Sequence, residues 1–262
     1  MAGPGRIRFL GIDYSGAGTP EEGLAGLEVF LASGDGPAER VAPAAGARRR
    51  WSRRALAGWL EAELSRDGPA WVGIDHGFSF PEEYFERHAL PRSWDAFLGD
   101  FCGHWPTADA GVRVREVRQG RVGEGLRRLG DPRWRRQTER RVPGTKSVFH
   151  FGVNGEVATS THAGLPWLAR IRAALRTRLH VWPFDGWRPP AGAVMVAEVF
   201  PSLSRGAFSL PGASPHARDA HAVCRWLQAE WAAGRMGDHL SPGLTLAEER
   251  VARHEGWILG VG

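Results

Sequence analysis

An α/β fold is predicted by three short apolar runs that each end in one acid: Phe9-Leu10-Gly11-Ile12-Asp13, Val72-Gly73-Ile74-Asp75 and Val194-Met195-Val196-Ala197-Glu198. Runs of this length that are hydrophobic on both alternating faces read as strands covered on two sides. In open α/β sheets the carboxyl ends of such strands are where chemistry gathers. The triplet Gly-Ile-Asp occurs twice, at Asp13 and Asp75.

Taken in order, residues 6–13 form the first strand and Tyr14-Ser15-Gly16-Ala17-Gly18 a turn. Segments 27–32 and 40–41 continue as antiparallel neighbours, giving a hairpin-led start. Ser52 is a suitable N-cap for a helix with Leu56, Trp59, Leu60 and Leu64 on one stripe, and Asp67-Gly68-Pro69 ends it before the strand that reaches Asp75. From about 77 to 190 the pattern becomes mainly helical and arginine-rich, which reads as a large insertion into a single domain spanning 1–262. Within it a hairpin is expected from 147–153 and 156–160 around Asn154-Gly155, then a helix over 165–175 and a return to the sheet at 179–183. After the third acid-tipped strand, Ala220, Val223, Cys224, Leu227 and Trp231 follow helical spacing. Positions 216, 219, 220 and 223 share a face, which turns Asp219 toward the core. Thr245 and Glu248 have capping-box spacing at the start of a last short helix, and an apolar Trp257-Ile258-Leu259 end follows.

Four acids, Asp13, Asp75, Glu198 and Asp219, are thereby expected to converge. Two carboxylates about 4 Å apart repel by roughly 4 kcal/mol at an effective dielectric of 20, so such a group needs protons or cations. Oxygen ligands without a Cys or His cluster favour Mg²⁺ or Mn²⁺. Two such ions about 3.5–4 Å apart would suit phosphodiester cleavage.

The 262 residues and 42% hydrophobic content support an ordinary core. No apolar stretch approaches the length of a membrane helix and no secretory pattern opens the chain, so a cytoplasmic protein without a membrane partner is expected. Cys102 and Cys224 give no disulfide framework. The 34 basic and 29 acidic residues leave a net charge of +5, and the basic side is almost entirely arginine, with Lys146 its one lysine. This balance allows a polyanionic partner, DNA or RNA, without requiring one; the abundance of arginine reads as the coding bias of a high-GC genome rather than as selection for its phosphate-binding geometry.

The strand Gly-Ile-Asp13-Tyr-Ser-Gly, the Gly-Ile-Asp75 strand with Phe80-Pro81, the Glu198-Val-Phe-Pro201 strand end and the Asp219-Ala helix together resemble a bacterial family of uncharacterised proteins predicted to be RNase H-like nucleases. The resemblance touches most of the chain through the order and context of these fragments. It implies an RNase H-like mixed sheet flanked by helices, with Asp13 bridging metal ions, Asp75 and Glu198 supplying ligands from neighbouring strands, and Asp219 completing the set from the helix. His216, three residues before Asp219, is similar to the His and Asp pairs of RuvC-like resolvases, and would position water or phosphate. The insertion has no counterpart in the better-studied ribonucleases H, so the resemblance carries no substrate type.

Beside these roles stand plainer ones. Asp13 and Asp75 could cap loops, Glu198 could form a buried ion pair with one of the arginines, and His216 could make only a local hydrogen bond. For substrate binding, Ser15 lies in the turn after the first strand. The segment Arg135-Arg136-Gln137-Thr138-Glu139-Arg140-Arg141, followed by Lys146, could hold a nucleic-acid backbone through Arg136, Thr138, Glu139 and Lys146, or could be a solvated helix face. The leading functional expectation is a metal-dependent nuclease or phosphodiesterase. The alternatives are an actin- or sugar-kinase-like phosphotransferase or ATPase, on the strength of the loop after Asp13, and a non-catalytic nucleic-acid-binding module.

Overall fold

A computed structural model describes residues 6–44, 49–152 and 157–262. Its strands are β1 (Arg8–Asp13), β2 (Glu28–Ser33), β3 (Glu39–Arg40), β4 (Ala70–Asp75), β5 (Leu179–Trp182) and β6 (Val194–Glu198). Its helices are α1 (Arg53–Leu64), α2 (Glu82–Arg87), α3 (Trp94–His104), α4 (Val114–Arg118), α5 (Gln137–Arg141), α6 (Val157–Leu175), α7 (Pro215–Ala232), α8 (Met236–His239) and α9 (Leu246–Glu255). The strands form one six-stranded mixed sheet in the order β3-β2-β1-β4-β6-β5. β2 runs antiparallel to both β1 and β3, while β4, β6 and β5 run parallel to β1.

Alternation along each strand divides the core in two, because successive side chains leave opposite faces. Leu10, Ile12, Val72, Ile74, Val194 and Val196 join one apolar cluster with Leu56 and Leu60 of α1, Phe97 of α3 and Leu168 of α6. Phe9, Trp71, Met195 and Ala197 join the other with Ala220, Val223, Cys224 and Leu227 of α7. Helices therefore cover both faces, and the central runs 9–12, 71–74 and 194–197 are apolar or glycine at every position for that reason.

The two Gly-Ile-Asp triplets lie in register, with Gly11 opposite Gly73, Ile12 opposite Ile74 and Asp13 opposite Asp75. The glycines let α7 approach: a Cβ on Gly11 would stand 2.1 Å from the Ala220 carbonyl oxygen, and one on Gly73 2.6 Å from a Val223 methyl. The N-terminal part of α7 is thereby laid over the ends of β1 and β4.

Local signals place most elements where the sequence puts them. Ser52 caps α1 by accepting from the Ala55 N–H, and Thr245 and Glu248 close the capping box of α9. The regular elements within 77–190 are helices apart from β5, joined by long turns and irregular chain. Segment 147–152 is turn and irregular chain and 157–160 is the first turn of α6, so no hairpin forms over these positions. The expected turn Asn154-Gly155 lies outside the described residues. Thr161, His162, Ala163 and Leu165 are all buried in α6, and helical packing on the sheet outweighs the local Asn-Gly turn signal that suggested a strand pair. Among the described residues no helix is long and apolar enough to cross a membrane.

Candidate functional site

Asp13 and Asp75 end adjacent parallel strands at the same level, where strands are spaced about 4.8 Å apart. Their positions share the parity of Phe9, Gly11, Trp71 and Gly73, which puts both carboxylates on the α7 face. Ser214 caps α7 by accepting from the Ala217 N–H, and Pro215 occupies its first turn. The helix begins over the sheet edge and brings His216 and Asp219 with it. His216 Nδ1 lies 2.8 Å from Asp13 Oδ2, while its side chain is 47% exposed. Asp219 is buried and accepts from Arg205 Nε at 2.5 Å and Nη2 at 2.6 Å.

Glu198 faces the other way. It is in register with Ile74 rather than Asp75, so the one-residue offset turns its side chain to the face of Val194 and Val196. There both of its oxygens accept from Arg136, each at 2.6 Å, and Oε2 also accepts from the Phe78 N–H at 3.0 Å. The ion-pair role that the sequence leaves open for Glu198 is thus the arrangement present. Arg136 is 1% exposed and also donates through Nε to Glu139 Oε1 at 2.8 Å.

This interior network corrects the expected basic surface over residues 135–141. Arg136, Thr138 and Glu139 are buried, with Thr138 Oγ1 accepting from the Ile258 N–H and Glu139 Oε2 accepting from the Arg136 N–H. Their side chains are turned inward to hold Glu198 and the C-terminal segment, away from where a nucleic-acid backbone would lie. Arg140 and Arg141 are paired with Glu83 and Glu248. Lys146 is exposed.

Ser15 belongs to the site's rim. A side chain at Gly26 would meet His216 Nε2 at 3.3 Å and Ser15 Cβ at 3.4 Å, so Gly26 keeps room between the two. Arg53, buried at the start of α1, donates to the carbonyls of Ser15, Ala17 and Gly18 and fixes the loop after β1. Gly16 is pressed against the Thr159 carbonyl.

Two further groups had no distinctive sequence signal. Arg205, in the turns between β6 and α7, neutralises Asp219. Glu28, which opens β2 in register with Asp13, is held by Arg40 at 2.5 and 2.7 Å. Glu28, Glu198 and Asp219 each have an arginine, and Asp13 has His216. The Asp75 carboxylate has no hydrogen-bond or ion-pair partner among the described residues.

The titration behaviour follows from this distribution of charge. Burial, reinforced by Asp13, Asp219 and Glu198, pushes Asp75 well above the ordinary aspartate range. Burial also raises Asp13, against the opposing pull of His216. The hydrogen bond to Asp13 raises His216, and the bond to Asp219 raises Arg205, helped by Asp75 and Asp13. Burial works to lower Arg136, but Glu198 and Glu139 overcome it and leave the guanidinium above its usual value. His76, beside Asp75, is a different case: burial lowers it to about 4, which keeps it neutral with Nδ1 2.8 Å from the Gly77 carbonyl oxygen.

No family model, curated protein or solved structure matches the chain.

The acids do not meet as a set of four. Among the described residues no group of three or more His, Cys, Asp or Glu side chains is gathered closely enough to hold a metal ion. Asp13 and Asp75 offer oxygen donors suited to a hard cation, whereas the carboxylates of Asp219 and Glu198 are engaged by arginines. The donor set fits one ion held by Asp13 and Asp75, and a second would require Asp219 to leave Arg205.

Proposed function

We propose that this chain is a metal-dependent phosphodiesterase, with nucleic acid as the substrate class, whose centre is the in-register pair Asp13 and Asp75. The observation that carries the reading is Asp75: a carboxylate with no partner among the described residues, crowded by acids on neighbouring elements, where every other acid of the group has a cationic residue or a histidine beside it. A half-buried carboxylate at a strand end that its surroundings destabilise is more economically read as a functional group than as a structural one. The strand order β3-β2-β1-β4, with three antiparallel strands leading into a parallel pair, supports an RNase H-like core. Net charge of +5 is compatible with a phosphodiester polyanion.

A divalent ion at Asp13 and Asp75 would polarise a phosphoryl oxygen and lower the cost of ionising the attacking water. The chain's own contribution is centred on His216. Ionised Asp13 accepts from the Nδ1–H of His216, which fixes the tautomer and leaves Nε2 as the base. The imidazole is half-exposed beside the rim formed by Ser15 and Gly26, where Nε2 can take a proton from water attacking phosphorus. Asp13 then stabilises the imidazolium that results.

The phosphotransferase alternative has less to support it. The loop after Asp13 spends three carbonyls on Arg53 and is backed by Thr159, so its shape is explained by packing alone. A non-catalytic module would retain nucleic-acid binding without turnover.

The test is hydrolysis of bis(p-nitrophenyl) phosphate and of single- and double-stranded DNA and RNA with Mg²⁺ or Mn²⁺, by wild type and Asp75→Asn. Metal-dependent turnover lost in the variant supports the reading. Equal turnover in both proteins, or none with any of these substrates, overturns it.

A further inference from the structure

Ser15 and His216 border one gap. A Cβ at Gly26 would stand 3.4 Å from Ser15 Cβ and 3.3 Å from His216 Nε2, and glycine at this position leaves that gap unfilled. His216 Nδ1 is 2.8 Å from Asp13 Oδ2, and the imidazole is half-exposed. An ionised carboxylate only accepts, so Nδ1 carries the proton and Nε2 presents a lone pair. Ser15 Oγ accepts from the Ala17 N–H in a long, exposed bond of 3.3 Å. Its own proton has no acceptor among the described residues.

The loop that carries Ser15 is polarised from behind. Arg53 is 1% exposed, has no carboxylate in ion-pair contact among the described residues, and spends its guanidinium on the carbonyls of Ser15, Ala17 and Gly18. In a trans peptide the N–H points away from the carbonyl before it, so the amides of Gly16, Gly18 and Thr19 are turned from Arg53. Glu22 takes the Thr19 N–H. Those of Gly16 and Gly18 have no hydrogen-bond partner among the described residues. A buried cation on the carbonyl side makes the amide side of such a loop favour negative charge.

We infer that Ser15 is a nucleophile served by His216 and oriented by Asp13, which gives the chain a metal-independent esterase activity toward small uncharged esters. Ser15 Oγ leaves the Ala17 N–H and bonds to the ester carbonyl carbon as its proton passes to His216 Nε2. The carbonyl electron pair moves onto oxygen, where the Gly16 and Gly18 amides are the donors for the oxyanion. Re-forming the carbonyl expels the alkoxide, which takes the proton from Nε2 and leaves as an alcohol. Water then attacks the acyl-Ser15 carbonyl with His216 again as base, releasing the acid and the free hydroxyl. Asp13 and Arg53 are positioning residues, the first for the imidazole and the second for the loop. An ester is the fitting substrate because its carbonyl is neutral and enters beside Asp13 without a cation to offset repulsion, which a phosphodiester needs.

The experiment is labelling by a fluorophosphonate and hydrolysis of p-nitrophenyl acetate, both in EDTA, with the modified peptide identified by mass spectrometry. It uses wild type, Ser15→Ala and His216→Asn. Ser15→Ala removes one exposed hydrogen bond, and an unchanged melting temperature checks that it folds as wild type does. The expected result is a label on Ser15, loss of both labelling and ester hydrolysis in Ser15→Ala, and labelling slowed about 100-fold or more in His216→Asn. A label on another residue, hydrolysis unchanged in Ser15→Ala, Ser15 labelling equally fast in His216→Asn, or no reaction with either reagent overturns the inference. None of these outcomes decides the phosphodiesterase reading, which stands or falls on metal-dependent cleavage.

Discussion

Asp13 and Asp75 stand opposite each other on adjacent parallel strands, yet among the described residues only Asp13 has a polar partner, the His216 imidazole at 2.8 Å. The asymmetry leaves the ionisation of Asp75 opposed by burial and by neighbouring acids without a hydrogen bond to offset them, and it separates the two acids experimentally.

Asp75→Asn should stabilise the protein and abolish its activity. With the folded-state value raised well above 3.8, the native state binds more protons than the unfolded chain, so this group's contribution to stability falls as pH rises from 3.8 through the folded value. Asparagine carries no such penalty. A gain of roughly 0.5–2 kcal/mol at pH 7.5 is expected from denaturant unfolding, together with a fall in turnover of about 100-fold or more. Mn²⁺ should raise the melting temperature of wild type and leave that of the variant unchanged.

The His216–Asp13 pair predicts the pH profile. His216 is raised above 6.5 by Asp13, so its stabilising contribution is complete below 6.5 and is lost as pH rises through the folded value. As a base it works only when deprotonated, so kcat/KM should rise with pH across a limb displaced above 6.5. His216→Asn should flatten that limb and lower turnover by about 100-fold. Asp13→Asn should move the remaining limb downward, because the carboxylate that supports the imidazolium is gone.

Glu198 and Arg136 predict a stability effect instead. Arg136→Met leaves Glu198 and Glu139 buried without their shared cation, and a loss of about 3–5 kcal/mol is expected in denaturant unfolding. Glu198→Gln should also destabilise, while Mn²⁺ affinity stays within about threefold of wild type. A large loss of affinity would mean that Glu198 is a ligand and that its pairing with Arg136 is exchangeable.

Gly11 controls the approach of α7. With a Cβ forced to within 2.1 Å of the Ala220 carbonyl oxygen and 2.5 Å of the Cys224 nitrogen, Gly11→Ala must push the helix off β1. Destabilisation of about 3 kcal/mol is expected. The same shift separates His216 from Asp13, so the ascending limb should move downward in any Gly11→Ala protein that still folds.

The sequence by itself determined the strands, their acid-tipped ends and several helix starts. Those are local properties: two-sided burial writes a continuous apolar run, and Ser52 or Thr245 caps a helix through atoms three residues away. It also contained the repeated Gly-Ile-Asp triplet, whose meaning appears once both copies lie in register under α7. Local signals failed at 147–160, where Asn154-Gly155 suggested a hairpin and the described part of the second segment instead opens the buried helix α6. Only the tertiary structure decided which acids share a site. Glu198 ends its strand as Asp75 does, but pairing one position earlier reverses its face, because side chains alternate with a period of two. Arg136 reaches it from 62 positions away in the chain, and Arg205 reaches Asp219 across the turn into α7. Register and long-range charge pairing depend on which segments become neighbours, and that is settled when the sheet and its two helical layers assemble.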